Sequence, residues 1–173
     1  MLLLTIAEIS KFAGLQIAAE AFLEGASSQA ELFDKLTEGN GHSSRFTPLA
    51  AKKFILDWEV VEHLANTSTG FSGTLFRSLQ TGELVMSLRS TEFVDDAVRD
   101  NMATNTMEIK NTGFAWGQLA DMEKWYSTLR ASGKIPEGKK FDVTGEPLAK
   151  LFARVNLVAG LGKMEGRGRP FLA

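Results

Sequence analysis

Phe71-Ser72-Gly73-Thr74-Leu75-Phe76, Gln80-Thr81-Gly82-Glu83 and Leu84-Val85-Met86-Ser87-Leu88 follow one another closely, and this stretch decides the fold class. The outer runs are short and largely apolar, bounded by Gly, Ser and Thr, as buried strands are. The middle run supplies turn chemistry, so a β-hairpin is expected. Upstream, apolar residues at Ile6, Ile9, Leu15, Ala18, Ala19 and Phe22 give Thr5 to Glu24 a mostly helical spacing, relieved by Gly14. Gly25 supplies a stop, and Ser27 or Ser28 caps a second helix through Leu36. Gly39 to Ser44 is a loop by composition. A third helix is expected from Thr47, with Pro48 in its first position. It carries Phe54, Ile55, Trp58, Val61 and Leu64 on one face as far as Asn66.

Downstream of the hairpin, polar residues from Thr91 to Asn105 suggest a loop and a short acidic helix. Phe114 to Leu129 then has Leu119, Met122, Trp125, Tyr126 and Leu129 at helical intervals. A basic loop, Gly133 to Lys140, leads into a short strand, Phe141-Asp142-Val143-Thr144, and Gly145. Helices, a hairpin, then a helix and a strand make an α/β or α+β arrangement. Leu151, Phe152, Val155, Leu157 and Val158 could form one more apolar helix, and Met164 to Ala173 is expected to be frayed or extended.

Composition excludes several function classes. The 173 residues are 44% apolar, enough for the core of one domain. Nineteen basic against 21 acidic residues leave a formal charge of −2, without the basic excess that a nucleic-acid-binding surface needs. There is no cysteine, hence no disulfide, thiol nucleophile or thiolate metal site. No apolar run is long enough to span a membrane. The opening Met1-Leu2-Leu3-Leu4 is interrupted by Glu8 and Lys11 with no basic cluster before it. We read it as part of an ordinary helix, so a cytoplasmic location is expected.

Candidate sites are few. Leu88-Arg89-Ser90-Thr91-Glu92-Phe93 follows a strand, where ligand-contacting groups collect in α/β sheets. Ser90 and Thr91 either hold an oxyanion there or cap the next helix. Asp95, Asp96 and Asp100 suit either a hard cation or a solvated helix start, and the neighbouring Arg99 favours the second. His63 is expected near a helix C-terminus, where its charge alone accounts for it, and His42 sits in a Gly/Asn/Ser loop with no partner carboxylate. Gly160-Leu161-Gly162-Lys163 fails as a P-loop, with Leu157 where glycine is needed and Met164 where Ser or Thr is needed. It fails as a dinucleotide fingerprint at Glu165. No cofactor or metal is called for, and Trp58, Trp116 and Trp125 read as packing residues.

From Asn66 to Gly145 the chain also resembles secreted bacterial lipases and polyurethanases of the repeats-in-toxin group. The resemblance is carried by Asn66-Thr67-Ser68-Thr69-Gly70 with the hairpin, Leu88-Arg89-Ser90-Thr91-Glu92-Phe93, Asp95-Asp96-Ala97, Asp100-Asn101, Ala103-Thr104-Asn105, Glu108-Ile109-Lys110 and Gly117-Gln118-Leu119-Ala120-Asp121-Met122-Glu123 with Trp125-Tyr126. Ser44-Arg45-Phe46-Thr47 and the helix behind it fit the same lipases, so roughly two thirds of the chain is covered. This resemblance implies an α/β-hydrolase fold and a carboxylic ester hydrolase ancestry. By the Arg-Gly-Ser/Thr element of related lipases, Thr91 would serve the oxyanion hole, with Ser90 in place of glycine.

The same resemblance places the Gly-x-Ser-x-Gly nucleophile elbow after Phe141-Asp142-Val143-Thr144. Gly145 is present, but Pro147 stands in the serine's position and Ala149 in that of the closing glycine. From Glu146 to Ala173 there is neither histidine nor aspartate, and the calcium-binding glycine/aspartate repeats are missing from this sequence. Loss of the triad costs on the order of a millionfold in rate. The expectation is therefore an incomplete α/β-hydrolase-like fold: an N-terminal helical segment (1–65), a lipase-like core (66–145) with a β-hairpin and a few strands flanked by helices, and a divergent tail (146–173). Such a chain, the N-terminal portion of a lipase truncated or divergent at the elbow, is expected to be inactive. Its alternative is a noncatalytic module that binds a lipid, an ester or a partner, or self-associates through an exposed sheet edge.

Overall fold

In the computed structural model the described residues are 5–41, 44–89 and 116–145. Among them four helices, α1 (Ile6–Glu20), α2 (Gln29–Glu38), α3 (Pro48–Asp57) and α4 (Trp116–Ala131), accompany four strands, β1 (Trp58–Leu64), β2 (Gly73–Ser78), β3 (Leu84–Leu88) and β4 (Phe141–Thr144). The class is α/β. One mixed sheet has the order β1-β2-β3-β4, with β1, β2 and β3 antiparallel in turn and β4 parallel to β3.

The helix starts follow local chemistry. Thr5 and Ser28 each form a capping box with a glutamate three residues on, Glu8 and Glu31, which satisfies otherwise orphaned backbone N–H groups. Thr47 caps α3 ahead of Pro48, a residue with no N–H to lose. The expected hairpin is present. Its turn closes through Ser78 N–H to the Glu83 carbonyl at 2.8 Å, with Gly82 at φ 66°. The strand at Phe141–Thr144 and the helix before it are present as well.

Two boundaries differ from expectation. α1 stops at Glu20, not Glu24, because the chain turns extended at Ala21, which is fully buried, and Leu23 follows it inward. The helix expected from Thr47 to Asn66 ends at Asp57, and Trp58 to Leu64 is a strand. A β-bulge between Val60 and Glu62 explains why its sequence reads as helical. The extra residue resets the in/out alternation, so Trp58 and Val60 pack on one side of the sheet while Val61 and Leu64 pack on the other. Apolar residues at 58, 61 and 64 thus serve two faces of a bent strand, not one face of a helix.

The sheet carries helices on both faces. On one side Phe12, Leu15, Leu32, Leu36, Phe54 and Trp58 from α1–β1 bury Phe76 and Val85. On the other, Leu119, Met122, Trp125 and Leu129 of α4 cover Leu75, Leu84, Met86 and Phe141. Gly73 is required there, since a Cβ at that position would lie 2.7 Å from the Trp125 ring. No described helix is long and apolar enough to cross a membrane.

Candidate functional site

β3 and β4 run parallel, with Ser87 opposite Thr144, so the chain leaves the sheet at Leu88–Arg89 and at Gly145 side by side. The C-terminal ends of adjacent parallel strands are where an α/β sheet collects ligand-contacting groups. Gly145 has φ 110°, and a Cβ there would run into the Leu88 carbonyl oxygen. Glycine is needed both for the backbone conformation and for the close approach of the two exits.

α1 ties these exits together. The Ser87 and Thr144 hydroxyls bond each other, and Thr144 Oγ1 donates to Gln16 Oε1 at 3.1 Å. Gln16 Nε2 in turn donates to the Leu88 carbonyl at 2.8 Å and reaches Glu20 Oε1 at 3.2 Å. One amide from α1 thus bridges the final residues of β3 and β4. Sequence reasoning missed this residue. Its only signal was a glutamine between Leu15 and Ile17 in an otherwise apolar part of the helix.

The polar groups extend across the sheet. His63 pairs with Thr74, Thr74 with Ser87 and Ser87 with Thr144, which lines up one polar row on the α1 side. Two residues later on β2 and two earlier on β3 the same face presents Phe76 and Val85, so the sheet is apolar beneath the helices and polar at its end. Arg89, 7% exposed, closes this end. Its N–H bonds the Ser72 carbonyl at 3.1 Å, and its guanidinium lies 5.2 Å from the Phe22 ring centre.

His63 is therefore a strand residue and not the helix-end residue expected. Its side chain is 4% exposed, Nδ1 lies 2.9 Å from Thr74 Oγ1, and Nε2 faces Glu24 Oε1 at 3.6 Å. Burial holds its pKa below the ordinary 6.5 and Arg89 pushes the same way, while Glu24 and Glu62 oppose. Hydroxyl, imidazole and carboxylate in that order reproduce the connectivity of a catalytic triad. Burial denies them the role: Thr74 has no accessible surface, so its oxygen cannot meet an ester carbonyl.

Ser90, Thr91, Pro147, His42, Asp95, Asp96 and Asp100 lie outside the described residues. Among the described residues no group of three or more His, Cys, Asp or Glu side chains could hold a metal ion. Trp58 and Trp125 are core residues as expected, whereas Trp116, at the start of α4, is 51% exposed. A cavity of about 540 Å³ opens elsewhere, between α1, α3 and the hairpin turn, lined in part by Gly14, Phe46, Phe54 and Trp58 with Lys53 at its rim. Ser10, Ser78 and Thr81 also line it, along with Asp57 and the ion pair of Lys11 with Glu83 at 2.6 Å. Compared with protein-family models, curated proteins and solved structures, the chain matches none of them.

Proposed function

We propose that this chain is a lipase-like α/β unit of carboxylic ester hydrolase ancestry that does not hydrolyse esters through a serine triad. The observation that supports this most is the side-by-side exit of β3 and β4. Arg89 leads from one strand directly into Ser90-Thr91, and Gly145 leads from the other into Glu146-Pro147. An ester hydrolase of this kind needs an oxyanion donor and a nucleophile at such neighbouring exits. Gly145 holds φ 110°, a backbone conformation open to glycine and strained for residues with a side chain. At the nucleophile's position Pro147 offers no hydroxyl, so no acyl-enzyme can form there.

Purified protein given short-chain nitrophenyl esters should show no turnover above background. Robust hydrolysis that disappears when one residue is changed would overturn the reading. A second reading, noncatalytic lipid binding, draws on exposed Ile6, Leu49 and Leu56, which are 86%, 80% and 63% accessible. Retention of a long-chain fatty acid in equilibrium dialysis would favour it, and no retention would remove it.

A further inference from the structure

His63 is a buried imidazole whose Nε2 has no hydrogen-bond partner, although a carboxylate stands 3.6 Å away. That distance is just beyond a hydrogen bond. Glu24 belongs to the connection between α1 and α2, and its side chain is 48% exposed, so it is free to move toward the ring. We propose that His63 and Glu24 form an acid-operated latch, in which proton uptake by the imidazole draws Glu24 onto Nε2 and pins the α1–α2 connection to the strand ends. This inference goes beyond the ester-hydrolase reading and stands without it.

The geometry carries the argument. Whichever nitrogen holds the proton in the neutral ring, the charged ring has N–H on both. Nδ1–H then requires Thr74 Oγ1 to accept, and Nε2–H points at Glu24 Oε1. A charged donor to a carboxylate makes a shorter and stronger bond than a neutral pair, so the gap closes by several tenths of an ångström. Thr74 is held in β2 with no accessible surface, whereas the Glu24 side chain, 48% exposed, has room to swing toward the ring.

The charged groups facing the ring set the trigger. Glu24 faces it from the α1–α2 connection and Arg89 from the end of β3, while Glu62, the preceding residue of β1, acts through its charge from the other face of the sheet. Two carboxylates against one guanidinium favour the charged ring, and burial opposes it more strongly. Hence the latch is open near neutral pH and closes on acidification below the ordinary histidine value of 6.5. Glu62 is also bonded to Lys134, which leaves Glu24 as the carboxylate available to Nε2. Closing adds positive charge beside Arg89, the residue that begins the segment toward Ser90 and Thr91.

The test is an NMR titration of the full 173-residue chain. It holds two histidines, and a His42→Gln variant assigns the His63 ring signals. The His63 midpoint is expected below 6.5, and Glu24→Gln should lower it further. The backbone amides of Glu24 to Ser27 should shift with His63's own midpoint in the unaltered chain and cease to do so in Glu24→Gln. Because Glu24 is half exposed, that variant keeps the fold. An unchanged His63 midpoint in Glu24→Gln overturns the latch. So do amides of the connection that ignore His63, or unfolding of the chain before His63 titrates.

Discussion

Gly145 is the residue on which the arrangement of the two strand exits turns. Its φ of 110° lies where an L side chain is strained, and the Leu88 carbonyl occupies the space a Cβ would need. Both costs fall on the same substitution. Gly145→Ala should destabilise the fold by about 2–3 kcal/mol, combining the dihedral strain with a backbone clash. Urea denaturation measures this as a lowered midpoint at unchanged slope. A loss below about 0.5 kcal/mol would show that the exits separate freely. Gln16 acts beside it, since its amide is the donor that occupies the Leu88 oxygen from the helix side.

At the scale of elements, α1 shows how a helix is specified by its ends while its middle is left suboptimal. Thr5 and Glu8 fix the start, and buried Ala21 and Leu23 fix the stop. Gly14 interrupts the helix between them with no atom within 4 Å of where its Cβ would be. Neither a close approach nor a positive φ requires glycine there. Gly14→Ala is therefore expected to stabilise the protein by about 0.5–1 kcal/mol, by lowering unfolded-chain entropy and raising helix propensity. Thermal unfolding would report a higher midpoint, and a lower one would mean that something packs against Gly14. β1 is the opposite case, an element whose own sequence misleads, because its bulge borrows a helical spacing to serve two cores.

For the molecule as a whole, His63 and Glu31 tie stability to pH with one sign, both losing their contribution toward acid. The folded state holds His63 below its ordinary 6.5, so the unfolded chain takes up that proton first. Stability is then at its full value above 6.5 and declines as the pH drops from there toward the lowered folded value. Glu31 adds a second phase. Hydrogen bonds from Ser27 and Ser28 hold its carboxyl below the ordinary 4.5, so its contribution is present above 4.5 and is lost further into acid. Urea midpoints taken across this range should fall in the upper window for the unaltered chain and flatten there in His63→Gln. A slope retained in that variant would assign the upper phase to another group.

The sequence by itself determined the elements whose instructions are local. The caps at Ser28 and Thr47, the turn at Gln80–Glu83 and the strand at Phe141–Thr144 are legible because short-range hydrogen bonding and side-chain alternation specify them. The candidate site was legible only as a place, the end of the strand at Leu88 and the glycine at 145. Ser90, Thr91 and Pro147, on which that reading rests, fall outside the described residues. Tertiary structure alone decided that Trp58–Leu64 is a strand, since pairing with β2 and burial on both faces outweigh an apolar spacing that suits a helix. It also decided that Gln16 bridges β3 and β4 and that His63 meets Thr74 and Glu24. Those contacts join residues far apart in the chain. No local pattern encodes them, because they exist only once the sheet has paired and α1 has been laid across it.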